Sequence, residues 1–405
     1  MKRESALEGL RVLDLSRVLA GPWCGQILAD LGADVIKVER PQTGDDTRRW
    51  EPSFERDGER HSSYFLAVNR GKRSITVNLA TPEGSALIRD LARQSDVLIE
   101  NFKVGDLDRQ GLGYSDLSKV NPRLVYCSIT GFGQTGPLRT KAGYDTILQA
   151  MGGLMSITGN PDGEPGGGPQ RCGLPVIDMM TGVYSALAIL AAIHRREQTG
   201  KGQHIDMSLL DVQVSSLAYY GLDYALNGRV QGRTGNANPV SHPSGPYRCA
   251  DGRIVILVGN DDQFRRFCGA LGRADMLEDA RFAASRDRVA NNHALDDAIE
   301  DALAARSVAD WLEILEKAGV PCGPIQDIAA VMAHPQVIAR SACTSIEHAQ
   351  LGTIPLMASP LRLSDTPPAY RLPPPMLGEH TAQVLKEMLG MADGQVEEFR
   401  QRGIV

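Results

Sequence analysis

The sequence predicts an α/β protein: a mostly parallel sheet with helices on both faces, joined to a smaller second domain. Three observations lead there. Short apolar runs alternate with helix-like segments through the first 200 residues, which is the signature of repeated β-α-β units. The chain carries 42 glycines and 23 prolines against 5% aromatics, which suits many tight connections. Its 405 residues exceed one typical compact core, and the composition changes after about Gly228.

Residues 11–16, 34–39, 74–79, 96–100 and 124–129 read as strands. Residues 21–32 read as the first helix, and Thr81-Pro-Glu-Gly opens another with proline in its first turn. In such sheets ligands bind at the carboxyl ends of the strands. A glycine-rich loop, Gly163-Glu-Pro-Gly-Gly-Gly-Pro169, precedes a long apolar helix, whose end is marked by last-turn cations and the glycines 200 and 202. Residues 230–246 read as a loop, 247–259 as a hairpin turning at Asp251-Gly252, and 262–317 as polar helices. Strand-like residues follow near 351–363, with a final helix from Thr381. The expected division is a large domain of 1–227 and 331–405, in which the tail rejoins the first part, and a small domain of 228–330.

The formal net charge of −6 argues against nucleic acid as a partner, so an anionic ligand has to be held by local basic groups. Seven cysteines without a C-x-x-C pair suggest reduced thiols and a cytoplasmic protein. Dispersed histidines offer no metal spacing. Lys2, Arg3, Glu4 and Glu8 in the opening segment do not fit a targeting peptide. The apolar stretch 179–193 falls short of the roughly 20 residues of a membrane span, so it reads as a buried helix and no membrane is expected.

Asp178 is the sharpest candidate for chemistry. It stands between the glycine-rich loop and the start of the long helix. A carboxylate there accepts backbone N–H bonds and faces the positive helix end, both of which keep it ionised. An ionised, placed carboxylate attacks activated acyl groups; a purely structural N-cap has the same local sequence. Arg40, Lys72, Arg73 and Arg109 fall near strand ends, where together they suit a phosphate-bearing ligand. Gly131-Phe-Gly-Gln-Thr-Gly136 is spelled G-x-G-x-x-G, but Pro137 opposes the helix that a dinucleotide fingerprint requires.

Several segments resemble the class III CoA-transferase family. They are Leu10-Arg-Val-Leu-Asp-Leu-Ser-Arg-Val-Leu-Ala-Gly-Pro22, Leu31-Gly-Ala-Asp-Val-Ile-Lys-Val-Glu-Arg-Pro41, Asn69-Arg-Gly-Lys-Arg-Ser-Ile75 and Glu100-Asn-Phe102. Gly131-Phe-Gly-Gln-Thr-Gly-Pro137, Ala142-Gly-Tyr-Asp145, Gly319-Val-Pro-Cys-Gly-Pro324 and Leu377-Gly-Glu-His-Thr381 complete the set. The resemblance implies a large Rossmann-like domain built from N- and C-terminal parts, a smaller central α+β domain, and an interlocked homodimer. It implies that Asp178 is the nucleophile, passing through an aspartyl anhydride and an aspartyl-CoA thioester. Contacts to coenzyme A carry over to Leu19, Arg40, Val77, Asn101, Phe102, Lys103, Arg109, Gly143 and Tyr144. Acyl-CoA and a small carboxylic acid are then the substrates, with no permanently bound cofactor.

Leu19 replaces a glutamine and Ala80 a lysine of the formyl-type enzymes, and Asn238-Pro-Val-Ser-His-Pro-Ser-Gly-Pro246 replaces their oligoglycine lid. Residues 233–247 and Gly259-Asn-Asp-Asp-Gln-Phe264 are closer to the succinate–hydroxymethylglutarate branch, so succinyl-CoA and a dicarboxylate such as glutarate, hydroxymethylglutarate or itaconate are expected. A second carboxylate calls for an arginine: Arg171, at the end of the glycine-rich loop, or Arg17, beside Leu19. Two alternatives remain at this stage. One is a 2-methylacyl-CoA racemase, disfavoured because Tyr144 stands where racemases have histidine. The other is a non-catalytic acyl-CoA-binding protein.

Overall fold

A computed structural model describes residues 5–405; Lys2, Arg3 and Glu4, used above in judging the leader, lie outside the described residues. The chain divides into two compact units. The larger takes the described residues up to Gly153, then Cys172–Gly221 and Gln336–Val405; the smaller takes Leu154–Arg171 and Leu222–Pro335.

The larger unit begins with β1 (Arg11–Asp14), α1 (Ala20–Asp30) and β2 (Asp34–Glu39). A hairpin of β3 (Ser53–Arg56) and β4 (Glu59–Ser62) leads to α2 (Ser63–Val68), β5 (Lys72–Thr76) and α3 (Pro82–Arg93). Thr81 caps α3 by accepting the Gly84 N–H at 3.0 Å, and Pro82 opens it, as its sequence signals. Then come β6 (Val97–Glu100), α4 (Asp106–Arg109), α5 (Tyr114–Val120), β7 (Val125–Thr130) and α6 (Asp145–Met151). After α7 (Leu154–Ile157), which belongs to the smaller unit, follow α8 (Val176–Thr199), β8 (His204–Ser208), α9 (Leu209–Ser216) and α10 (Ala218–Asn227), whose residues from Leu222 onward belong to the smaller unit.

Six strands pair in the order β5-β2-β1-β6-β7-β8, every pair parallel. β6 is buried along its whole length and β2 along all but its first residue, as a sheet covered on both faces requires. On one face Leu13, Ile36, Ile75 and Leu98 pack with Ile88 and Leu91 of α3 and with Val384, Leu385, Val396 and Ile404 near the C-terminus. That shared core is why the tail rejoins the first part of the chain. Ile404 also accepts the Asn78 N–H at 2.7 Å.

On the other face α8 packs on α1. A side chain at Gly182 would meet the Ala20 carbonyl oxygen at 2.7 Å, so glycine permits this close approach. α8 is longer than the 179–193 stretch read from sequence. Its 24 residues are long and apolar enough to cross a membrane. Nor is it buried all round: Ile177, Thr181, Ser185 and Ile189 face inward, while Val183, Tyr184 and Leu187 are exposed.

The smaller unit holds the antiparallel sheet of β9 (Ser244–Arg248), β10 (Arg253–Leu257) and β11 (Cys322–Pro324). β9 and β10 form the hairpin expected at Asp251-Gly252. Its core joins Tyr247, Ile254 and Ile256 to Phe267, Leu295, Leu303 and Trp311 of the following helices. Residues 154–171, which include the glycine-rich loop, cluster with this unit, whereas the sequence reading put 1–227 in the large domain.

Candidate active site

The carboxyl ends of β1, β6 and β7 and the first turn of α8 surround one cavity of ≈ 310 Å³. Arg17, Leu19, Asn101, Phe102, Lys103, Gly143, Tyr144 and Asp178 all line it, with Arg139 and Lys141. The sheet edge is where parallel-sheet physics puts a ligand.

Each wall has a local cause. The loop after β1 is pinned from below. Asp45 accepts the Val18 N–H at 3.3 Å and holds that residue at φ 71°, a conformation that a β-branched residue rarely adopts. Lys37 in turn reaches Asp45 at 2.9 Å and the Ser16 carbonyl at 3.0 Å. Asn101 clamps the same loop from the side, accepting the Arg17 N–H at 2.9 Å and donating to its carbonyl at 2.7 Å. Its amide is therefore committed to the backbone of residue 17. Arg17 stacks over the Phe102 ring, 5.1 Å from the centroid.

The segment carrying Gly143 and Tyr144 lies against the end of β7 because two glycines meet there. A side chain on Gly131 would sit 2.6 Å from the Gly143 Cα. This close approach, not a dinucleotide loop, is what the first glycine of Gly131-Phe-Gly-Gln-Thr-Gly136 provides.

A smaller cavity of ≈ 160 Å³ is lined by Arg40, Val77 and Ala80, and shares Arg17 and Phe102 with the first. Arg40 pairs with Asp46 and donates to the Gly44 carbonyl at 3.3 Å. Arg109 lines neither cavity; it pairs with Asp106 and its side chain is 72% exposed. Arg171 is exposed and falls in the smaller unit. Among the described residues, Lys103, Arg139 and Lys141 form no ion pair, so three unpaired cations face the larger cavity beside Arg17, which lies 3.7 Å from Asp46.

The chain matches the model of CoA-transferase family III over residues 7–381. It is a member of that family. It is 49% identical to the succinate–glutarate CoA-transferase of Agrobacterium fabrum, over 95% of this chain and 96% of that protein. Against the human succinyl-CoA:glutarate CoA-transferase the figures are 39%, 100% and 91%. A crystal structure of a CAIB/BAIF family protein from Brucella suis superposes with a TM-score of 0.86 at 45% identity, covering 95% of this chain and all of that one.

For this family III chain one expectation needs correcting. The Asp178 carboxylate is expected from sequence to accept helix-start N–H bonds and to be kept ionised by them. The N-cap of α8 is instead Pro175, and the first-turn donors are taken by Asp145. The Asp145 carboxylate accepts the N–H of Ile177 at 2.8 Å and of Asp178 at 3.1 Å. Burial, and then the neighbouring Asp145 charge, push the Asp178 carboxyl up from 3.8 to about 7. Its own carboxyl oxygens have no hydrogen-bond partner among the described residues and face the cavity. Tyr64 of α2 lies in the same field: burial first, then Asp178 and Asp145, raise its hydroxyl to about 12. Asp145 ends the segment Ala142-Gly-Tyr-Asp145, and no local sequence pattern assigns it a role. Arg139 and Lys141 follow Pro137 without a sequence pattern that marks them as cavity residues.

Proposed function

We propose that this family III CoA-transferase moves coenzyme A from succinyl-CoA to a small dicarboxylate, glutarate first among the candidates, with Asp178 as nucleophile. The observation that carries this reading is the Asp178 carboxyl, unpaired and aimed into a cation-lined cavity at the sheet's carboxyl edge. The two glutarate-acting relatives supply the substrate class.

Ionised Asp178 attacks the thioester carbonyl of the donor; the C–S bond breaks, CoA leaves as thiolate, and an aspartyl acyl anhydride remains. The thiolate attacks the aspartyl carbonyl of that anhydride, giving an aspartyl-CoA thioester and the free donor acid. The acceptor carboxylate then attacks this thioester, and the released thiolate attacks the acceptor acyl group of the new anhydride. Acceptor acyl-CoA leaves and Asp178 is restored. Thioester and anhydride are of similar reactivity, so no energy input is needed. Lys103, Arg139 and Lys141 balance the negative charge of acids and thiolate in the cavity.

Arg40 and Val77 in the smaller cavity fit the nucleotide end of coenzyme A, and Arg17 and Phe102 link it to the thioester end. Asn101 contributes through the residue-17 backbone that it clamps, and Arg109 through an exposed guanidinium able to meet phosphate. Arg17, which lines the cavity with Asp178, or Arg171 reads the second carboxylate. No cofactor is bound permanently. The reading includes a homodimer in the cytoplasm, in which a second copy would cover the exposed apolar side chains of α8 together with Ile147, Met151 and Val214.

A donor–acceptor screen tests this reading. Purified protein with succinyl-CoA is expected to form glutaryl-CoA from glutarate, and free succinate in equal amount. Hydrolysis of succinyl-CoA without acyl exchange, across a panel of dicarboxylates, contradicts it.

A further inference from the structure

We propose that Asp145 is the positioning residue of the nucleophile: its carboxylate caps α8 from another helix and sets a second negative charge beside Asp178. This deepens, and rests on, the reading of Asp178 as the attacking group.

The geometry is unusual for a helix start. The N-cap, Pro175, has no side chain able to accept, so the first-turn N–H groups need a partner from outside. Asp145 supplies one from α6, 33 residues earlier than Asp178. A single oxygen, Oδ2, takes both Ile177 and Asp178. Its other oxygen is held by Gln149, whose own Oε1 accepts the Cys172 N–H at 2.8 Å. Asp145 and Gln149 are both buried. They form a rigid link between α6 and the first turn of α8.

The choice of an acid has a consequence that a neutral cap lacks. A helix N-terminus stabilises a nearby anion. With Asp145 already on those donors, that stabilisation is spent on a residue that does not line the cavity. Asp178, whose proton affinity burial already raises, meets a like charge in its place that raises it further. A carboxylate of higher proton affinity is the stronger nucleophile once ionised. The other titratable groups facing this region are the Tyr64 hydroxyl on α2 and, lining the cavity, the cations Arg17, Lys103, Arg139 and Lys141, the carboxylates Asp46 and Asp106, and Tyr144. Asp145 thus fixes where Asp178 stands and raises its reactivity without touching substrate.

The test is Asp145→Asn, which keeps an oxygen for the two N–H groups and removes the charge. Carbon-13 NMR follows the Asp178 carboxyl, assigned by its loss in Asp178→Ala, so the readout does not need activity. The expected result is a fall in the Asp178 midpoint of about one pH unit or more. The acid limb of kcat/KM should move down by the same amount, with a lower rate at its plateau. Amide exchange at Ile177 and Asp178 should stay slow in Asp145→Asn and become fast in Asp145→Ala. An unmoved midpoint in Asp145→Asn with protection intact overturns the proposal. If that variant does not fold, the unaltered protein still decides: an Asp178 midpoint near the ordinary 3.8 overturns it. Absence of CoA transfer in the unaltered protein, with the midpoints as expected, defeats the functional reading and leaves the Asp145 relationship standing.

Discussion

Lys37 and Asp45 form an ion pair of 2.9 Å in which neither side chain is exposed, and the pair holds the loop that lines the cavity. Burial lowers the Lys37 pKa, but Asp45, Asp14 and Glu39 outweigh it and raise it above its usual value. Burial pushes the Asp45 carboxyl the other way, and Lys37 with Thr47 brings it below its usual value. Both groups are therefore charged, and each depends on the other.

Replacing Lys37 with Met leaves the Asp45 charge buried, although other hydrogen bonds remain. The expected loss is about 3–5 kcal/mol in urea unfolding. CoA transfer should fall as well, because Asp45 positions the Val18 N–H. An unfolding midpoint equal to that of the unaltered protein would show that the pair does not hold the loop.

The raised pKa of Asp178 fixes two pH dependences. Attack needs the carboxylate, so kcat/KM should fall about tenfold per unit of pH below roughly 7. For stability the sign runs against the native state. The folded pKa lies above the unfolded value of 3.8, so the group costs stability. That cost is absent below the unfolded value, grows between the two, and is full above about 7. Asp178→Asn should therefore melt at a higher temperature than the unaltered protein at pH 8, and at nearly the same temperature at pH 4. A variant less stable at pH 8 than the unaltered protein contradicts this.

β2 was legible to the residue, since 34–39 is an apolar run closed by charges. β5 was read two residues late, starting at Ser74. The true strand starts at Lys72, whose side chain is wholly buried against Asp14 at 2.9 Å. A lysine ordinarily marks a surface, and only the fold supplies its partner. β8 was missed because His204–Ser208 is a partly exposed edge strand without an apolar run. At the site, the helix start of Asp178 was visible. The residue that caps it lies in another helix, beyond any local pattern.

The two candidate arginines can be separated by substitution. Arg17→Met or Arg171→Met, whichever residue reads the second carboxylate, should weaken dicarboxylate acceptors by about 1–3 kcal/mol in kcat/KM terms. Monocarboxylates of equal length should lose much less. Equal losses for both acid types would assign that arginine to loop support or to coenzyme A.

No racemase activity is expected. Exchange at C2 of a 2-methylacyl-CoA needs acid and base groups flanking that carbon, and the cavity offers Tyr144 where racemases place histidine. Deuterium incorporated from solvent into such a thioester, at a rate comparable with CoA transfer, would contradict this.

The central claim is that Asp178 carries the acyl group and then coenzyme A. The most direct test is mass spectrometry of the protein quenched during turnover of succinyl-CoA, alongside assays of Asp178→Ala. The prediction is a covalent CoA adduct on the peptide containing Asp178, together with loss of exchange in the variant while acyl-CoA binding persists. Undiminished CoA transfer by Asp178→Ala would contradict it.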